Sequence, residues 1–135
     1  MKAKLVGILT VAVLGLSAGT AEAATTPNAN VDNIAVVASA VTVVFEFDLY
    51  DCPAGAEIAV VDWTAKQPSR PDSGAAGGFQ PYGLSNGDHV QRLVLEVGAS
   101  SFLPGETWVG TGTIACGTVL IPVAGSGQTR SPSGV

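Results

Sequence analysis

The chain has 135 residues, of which 11 are Asp or Glu and 6 are Lys or Arg, so its formal net charge is −5. This acidity argues against partners that are themselves negatively charged, because nucleic acids and anionic membrane surfaces repel such a protein. The chain holds one histidine and two cysteines, too few for a zinc site built from three or four such ligands. We therefore expect no nucleic-acid partner, no metal and no cofactor.

Residues 1–24 have the layout of a secretory signal peptide. A short basic head is followed by an apolar run over residues 5–16, and small residues surround a cleavage site after Ala23 or Ala24. The apolar run is too short to span a bilayer stably, although a retained anchor is the alternative interpretation. We predict a secreted, extracellular protein that has no membrane attachment after cleavage.

The clearest strand pattern lies in the first half of the mature chain. Residues 25–33 are polar and are predicted to be a flexible lead-in, and a short strand follows over residues 34–38. Over residues 41–52 apolar and polar side chains alternate with the strand period of two. The apolar face is formed by Val41, Val43, Phe45, Phe47 and Leu49. We interpret this stretch as the central strand of the fold.

The next strand is predicted over residues 57–66. By strict alternation, one of its faces holds Ala59, Val61 and Trp63. Residues 67–78 are rich in Pro, Ser and Gly and show no periodicity, which indicates a long exposed loop. Residues 79–84 are predicted to form a short strand that Pro81 confines to a sheet edge, because proline lacks the backbone N–H.

Turn signals divide the second half of the chain. Asn86-Gly87 is a dipeptide typical of a tight turn, since both residues tolerate positive φ. Strands are predicted over residues 89–97, 107–116 and 118–123. The strand face that holds Trp108 also holds glycines, which indicates room for a bulky neighbour. Residues 124–135 are predicted to be a disordered tail, so the folded domain is expected over residues 34–123.

Cys52 and Cys116 are the two cysteines, and in an exported protein they predict one disulfide. Closing a loop of about 65 residues stabilises a fold by roughly 4 kcal/mol in the chain-entropy model. Two free or intermolecular thiols are the alternative. About seven short strands, frequent turns and no helical periodicity favour an all-β fold: an antiparallel two-sheet sandwich, immunoglobulin-like in shape, with one disulfide.

Several turn motifs follow one another in a recognisable order. They are Tyr-Asp-Cys-Pro-Ala-Gly at residues 50–55, Asn-Gly-Asp-His at 86–89, Phe-Leu-Pro-Gly-Glu at 102–106 and Ile-Ala-Cys-Gly at 114–117. In this order they resemble a group of small secreted actinobacterial proteins of unknown function. The resemblance implies a sandwich-like domain in an exported protein and offers no catalytic residues. Members often carry an additional cysteine where Ser85 stands here.

The residues do not assemble into a recognisable catalytic pattern. His89 has Asp88 beside it, but adjacent residues of a strand point to opposite faces, and no Gly-x-Ser-x-Gly elbow is present. Glu46 and Asp48 share a strand face, as a glycosidase pair could, and a solvent-facing pair is the simpler interpretation. A calcium site or a solvated acidic rim could use the carboxylates around one turn. These are Asp48, Asp51, Glu57 and Asp62. We predict that the protein is not an enzyme.

The sequence favours a secreted binding or interaction module whose unknown partner is a protein or a glycan. Loops on a rigid scaffold carry recognition, so the 67–82 segment is the predicted contact region. Its candidate contact residues are Arg70, Phe79 and Tyr82. Trp63 and Trp108 are expected in the core rather than at a sugar-stacking surface. The alternative is an inhibitor of an extracellular hydrolase, in which Arg70 would enter a trypsin-like pocket. The oligomeric state is left open.

Overall fold

The computed structural model of the protein describes residues 26–132. The predicted signal peptide, residues 1–24, lies outside the described residues. The described part contains nine strands and no α-helix, which confirms the all-β prediction. The strands are β1 Asn28–Val31, β2 Ile34–Ser39, β3 Thr42–Tyr50, β4 Glu57–Lys66, β5 Gly74–Gly77, β6 Gln80–Leu84, β7 Val90–Ser100, β8 Thr107–Cys116 and β9 Val119–Arg130.

β3 is the centre of the architecture, as its alternating sequence predicted. Its inward side chains, each at most 1% exposed, are Val43, Phe45, Phe47 and Leu49. Along its whole length β3 pairs antiparallel with β7, from Thr42 opposite Gly98 to Tyr50 opposite Val90. Its other edge pairs with β2 near the start of the strand and with β1 near its end. Both edges of β3 are therefore covered by neighbouring strands.

Strand pairing closes into a circuit at one end of the molecule. There β5 pairs with both β4 and β7, and β2 pairs with both β3 and β9. β2 runs parallel to β9, with Ile34 opposite Gln128. The sheet is therefore mixed, and the predicted purely antiparallel pairing is wrong at this position. We call this part, defined by β2, β5 and the strand segments that they join, the closed end.

At the opposite end the pairing separates into two groups of strands. β1 and β7 flank β3 in one group, and β6, β4, β8 and β9 form the other in that order. We call this part the open end, defined by Tyr50, Leu84 and Val90 together with the disulfide. The disulfide joins Cys52, just after β3, to Cys116 at the end of β8, with Cα atoms 5.9 Å apart. It is confirmed, and it links two strand groups that backbone pairing leaves separate here.

A bulge in β4 changes which residues face the core. The pairing with β8 shifts register between Val60 and Asp62, so Val60 is buried before the bulge and Trp63 is buried after it. The predicted grouping of Trp63 with Ala59 and Val61 on one face is therefore wrong. Strict alternation cannot anticipate an inserted residue, and one extra residue moves every later side chain to the other face.

The centre of the core is aromatic. Trp63 and Trp108 are fully buried, and both pack edge-to-face with Phe45, at ring-centroid distances of 5.3 and 5.1 Å. Gly110 and Gly112 of β8 lie against the Trp63 indole, and a Cβ at either position would collide with it. The prediction that both tryptophans are core residues is confirmed. The β8 glycines provide the room for a bulky neighbour that the sequence indicated.

Three segment boundaries differ from those predicted. β1 lies within the predicted flexible lead-in and pairs with β3. The predicted loop over residues 67–78 contains β5, and its first residue, Gln67, is fully buried. β9 extends to Arg130, into the predicted disordered tail. These segments are polar or rich in small residues, and they become strands because neighbouring strands pair with them, an effect that local composition does not report.

Candidate binding groove

β6 and β7 follow one another in the chain but do not pair with one another. β6 pairs with β4, whereas β7 pairs with β3, and β5 joins β4 to β7 only up to Ala76 and Gly98. A groove of about 360 Å³ lies between β6 and β7 towards the open end. Its lining includes Ile58, Tyr82, Leu84, Val90, Arg92 and Leu93. The groove therefore exists because two consecutive strands belong to different groups.

One edge of β7 faces this groove without a strand partner. Backbone groups along a strand point alternately to its two edges, and the Ala99 N–H donates to the Val41 carbonyl, next to β3. The odd-numbered residues of β7 thus direct their N–H and C=O groups towards β3. The corresponding groups of Arg92, Val94 and Glu96 point to the opposite edge, which borders the groove at Arg92 and at the Tyr82 contact with Val94. Such an unpaired edge is a template for a further strand.

Tyr82 spans the groove. It lies where the register of β6 against β4 shifts, and its hydroxyl donates a hydrogen bond of 2.7 Å to the Val94 carbonyl. Burial raises the pKa of the Tyr82 hydroxyl above its usual value, because desolvation disfavours the charged phenolate. The groove thus favours the neutral, donating form of Tyr82. This side chain occupies one acceptor on the free edge of β7.

The loop over residues 85–89 bounds the groove at the open end. Ser85 is buried, and its hydroxyl donates to the Cys52 carbonyl at 2.8 Å and accepts from the Gln91 side-chain amide at 2.9 Å. The loop is thereby tied to the turn that follows β3, close to the disulfide. Asn86-Gly87, predicted to be a tight turn, lies in this loop, and Gly87 has a φ of +85°. The strands on either side of the loop pair with different neighbours.

The three candidate contact residues do not share one surface. Phe79 is 68% exposed just before β6, and Tyr82 lies in the groove. Arg70 lies instead at the closed end, in the turn between β4 and β5, where its Nε donates to the Ser101 carbonyl at 2.8 Å. The Arg70 side chain is held against the protein rather than projected from it. The 67–82 segment is thus two separate regions and not one contact loop.

His89 pairs with Asp51 and not with the adjacent Asp88. Its Nδ1 lies 2.7 Å from Asp51 Oδ1, and its imidazole contacts the Tyr50 ring edge-on. The His89 side chain is 75% exposed. The arrangement supplies a base and an orienting carboxylate, whereas acyl transfer by a Ser-His-Asp mechanism also needs a nucleophile within hydrogen-bonding distance of the imidazole.

Arg92 forms ion pairs with Glu46 and Asp48, the suggested glycosidase pair, on the outer face of β3 and β7. Its Nε donates to Asp48 at 2.8 Å, and its guanidinium also pairs with Glu46 and Asp32. The hydrogen bond to Asp48 is the main reason that the pKa of Arg92 lies above its usual value. Glu46 and Asp48 are therefore bound to one cation, rather than facing one another across a cleft as acid and nucleophile.

Two of the four suggested calcium ligands have other partners. Asp48 is paired with Arg92, and Asp51 with His89. Within residues 26–132, no group of three or more His, Cys, Asp and Glu side chains is arranged to hold a metal ion. The same part of the chain contains no helix that is both long and apolar enough to cross a membrane.

Comparison with known proteins adds no relative from which a function could be transferred. No family model, curated protein or solved structure matches the chain. The resemblance to secreted actinobacterial proteins therefore stays a prediction, and function has to be argued from geometry. Pro81 correctly indicated that residues 79–84 form an edge strand. No comparable signal marks the free edge of β7, whose alternating sequence is equally typical of a strand paired on both sides.

Proposed function

We propose that this chain is an exported, non-catalytic binding module that takes up an extended polypeptide segment along the free edge of β7. The single observation that carries the proposal is the edge of β7 at Arg92 and Val94, which borders a groove and pairs with no strand in the described part of the chain. In this view the open end is an immunoglobulin-like, two-layer sandwich with a gap in one side. The bound segment would fill that gap as an additional strand.

Strand addition suits this groove because backbone groups supply the affinity and alternate side chains supply the specificity. The buried side chains of Ile58 and Leu93 lie at the base of the groove, so apolar side chains at every second position of the segment would pack there. Asp88 lines the groove, while the charge of Arg92 is already neutralised by three carboxylates. The segment should therefore be neutral or basic.

A polypeptide partner accounts for the structure better than a glycan. Sugar recognition commonly uses several exposed aromatic faces, whereas both tryptophans are fully buried and Phe79 is the one Phe, Tyr or Trp side chain of the described residues that is mostly exposed. The disulfide at the open end suits an extracellular protein, in agreement with the predicted signal peptide. The carboxylates that could serve in hydrolysis are ion-paired at the surface, which supports binding rather than turnover.

The test uses two variants of one residue on the β7 edge. Val94→Pro removes an N–H that faces the groove without removing one that faces β3, whereas Val94→Thr keeps it. The probe is a phage-displayed library of linear heptapeptides, panned on the oxidised protein. Selected peptides should bind Val94→Thr like the parent and Val94→Pro at least about tenfold more weakly, a difference of roughly 1.4 kcal/mol. Thermal melting of both variants checks that they are folded.

The proposal fails if no peptide is enriched, or if the selected peptides bind the proline and threonine variants equally well. A glycan array supplies the competing outcome. Saturable glycan binding that persists in Val94→Pro, together with an empty peptide selection, would replace the polypeptide with a saccharide partner.

A further inference from the structure

A bulge in β6 gives Tyr82 a different direction from its neighbours. The register of β6 against β4 passes from Ile58 opposite Gly83 directly to Ala59 opposite Pro81. Tyr82 is therefore an inserted residue that has no register partner on β4. Gly83, which follows it, has a φ of +88°, a backbone conformation that favours glycine. Because a bulge redirects a side chain, Tyr82 is partly buried against the core, whereas the other residues of β6 are exposed.

The redirected Tyr82 side chain lies where an added strand would lie. Its hydroxyl donates to the Val94 carbonyl at 2.7 Å, on the edge of β7 that borders the groove. A strand paired with this edge would lie about 4.8 Å from β7 and would donate one of its own N–H groups to the same carbonyl. The Tyr82 ring stands between the backbones of β6 and β7, in the space that this strand needs. The free protein thus contains a substitute for one hydrogen bond of a bound segment.

Tyr82 and a bound segment exclude one another at Val94. A carbonyl oxygen has two lone pairs, but the Tyr82 side chain would overlap with the backbone of a segment that is paired with Val94. Binding therefore requires the Tyr82 hydroxyl to leave the Val94 carbonyl. The affinity measured for a segment is then reduced in proportion to the fraction of molecules in which this contact is open.

We propose that Tyr82 is a built-in competitor for the edge of β7: it occupies the Val94 carbonyl in the free protein and is displaced when an extended polypeptide pairs there. This inference rests on the proposed function, because it concerns the same edge. Uncovered strand edges promote pairing with other chains, and the Tyr82 contact covers this edge at Val94 while no segment is bound. A segment that reaches only Val94 gains little by displacing Tyr82, so the competitor favours segments that also pair with Arg92.

The test makes the same change at each of the two tyrosines of the chain. Tyr82→Phe removes the competing hydroxyl and keeps the ring, and Tyr50→Phe is the matched control, because Tyr50 is outside the groove lining. The probes are the heptapeptides selected on the oxidised parent, and surface plasmon resonance measures their binding at neutral pH. Tyr82→Phe should bind them about two- to fivefold more tightly, mainly through faster association. The dissociation constants of Tyr50→Phe should stay within about 1.5-fold of the parent.

The results that overturn this inference differ from those that overturn the proposed function. If Tyr82→Phe binds the peptides no more tightly than the parent or than Tyr50→Phe, while Val94→Pro still loses binding, Tyr82 is not a competitor and the binding edge remains. The same conclusion follows if tighter binding comes from slower dissociation alone, because the phenyl ring would then be adding contacts to the bound segment. An empty peptide selection, or equal binding by Val94→Pro and Val94→Thr, removes the proposed function and this inference with it.

Discussion

The two ends of the molecule are held together by different means. At the closed end, β2 and β5 join the strand groups by backbone pairing, and the buried Gln67 amide adds three hydrogen bonds to Leu103 and Thr129. At the open end the strand groups separate, and the disulfide and the Ser85 hydroxyl connect them. One chain thus provides both a rigid end and unpaired strand edges. At the open end the disulfide connects the two strand groups, because backbone pairing between them would close the groove.

Breaking the disulfide should give the largest effect. The double variant Cys52→Ala, Cys116→Ala removes the constraint on a loop that spans a sequence separation of 64 residues, so the free energy of unfolding should fall by about 4 kcal/mol. Urea denaturation measures this loss. Hydrogen exchange of the folded variant should accelerate more at Gln91 and Leu93 than at Ala75 and Ala99. Equal acceleration of exchange at both ends would show that the disulfide does not stabilise the open end in particular.

The second-largest loss of stability is expected from a substitution in the core, between the two ends. Gly112→Ala places a methyl group against the Asp62 carbonyl and the Trp63 indole, so overpacking should lower the free energy of unfolding by about 2–3 kcal/mol. Gly98→Ala is the matched control, since a Cβ there meets nothing within 4 Å. Thermal denaturation should leave the control within about 0.5 kcal/mol of the parent. Equal losses in the two variants would count against the packing of β8 on Trp63.

At the closed end, Gln67→Leu should cost about 2 kcal/mol. The substitution removes the hydrogen bonds of the buried Gln67 amide to the Leu103 backbone and to the buried Thr129 hydroxyl, and losing hydrogen bonds at a buried site is destabilising. Gln80→Leu, at an exposed position of β6, provides the control and should be close to neutral. Urea denaturation of both variants in parallel measures the difference. A neutral Gln67→Leu would mean that strand pairing alone holds this end.

The smallest effect concerns the groove. Tyr82→Phe removes the hydrogen bond to Val94 and should lower the free energy of unfolding by about 0.5–1 kcal/mol at neutral pH. Because the folded pKa of Tyr82 lies above its unfolded value, the folded state holds this proton more tightly. That contribution is present below a pH of about 10 and is lost as the pH rises through the folded pKa.

Urea denaturation at about pH 8 and about pH 10.5 therefore separates the parent from Tyr82→Phe. The parent should lose stability more steeply over this interval, because the variant has no phenol at position 82. Parallel losses in the two proteins would show that the Tyr82 hydroxyl is not desolvated in the groove.

Much of the fold could be predicted from local pattern. β3 and β7 alternate strictly, and the inward residues of β3 are those that the alternation predicted except for Val41, which precedes the strand and is 65% exposed. The bulge in β4 and the strands β1 and β5 could not be predicted in this way, because each depends on a partner strand distant in the sequence. The groove could not be predicted from local pattern either. Tyr82 was a candidate contact residue, but its hydrogen bond to Val94 exists because β6 and β7 pair with different neighbouring strands.

The sequence by itself determined the strand class of this protein, its buried tryptophans and its disulfide, because period-two alternation, side-chain size and cysteine number are local or countable properties. Only the tertiary structure decided which strand edges are paired, and that one end closes while the other separates. Those features depend on register between distant segments, and a shift of a single residue exchanges the buried and exposed faces of a strand.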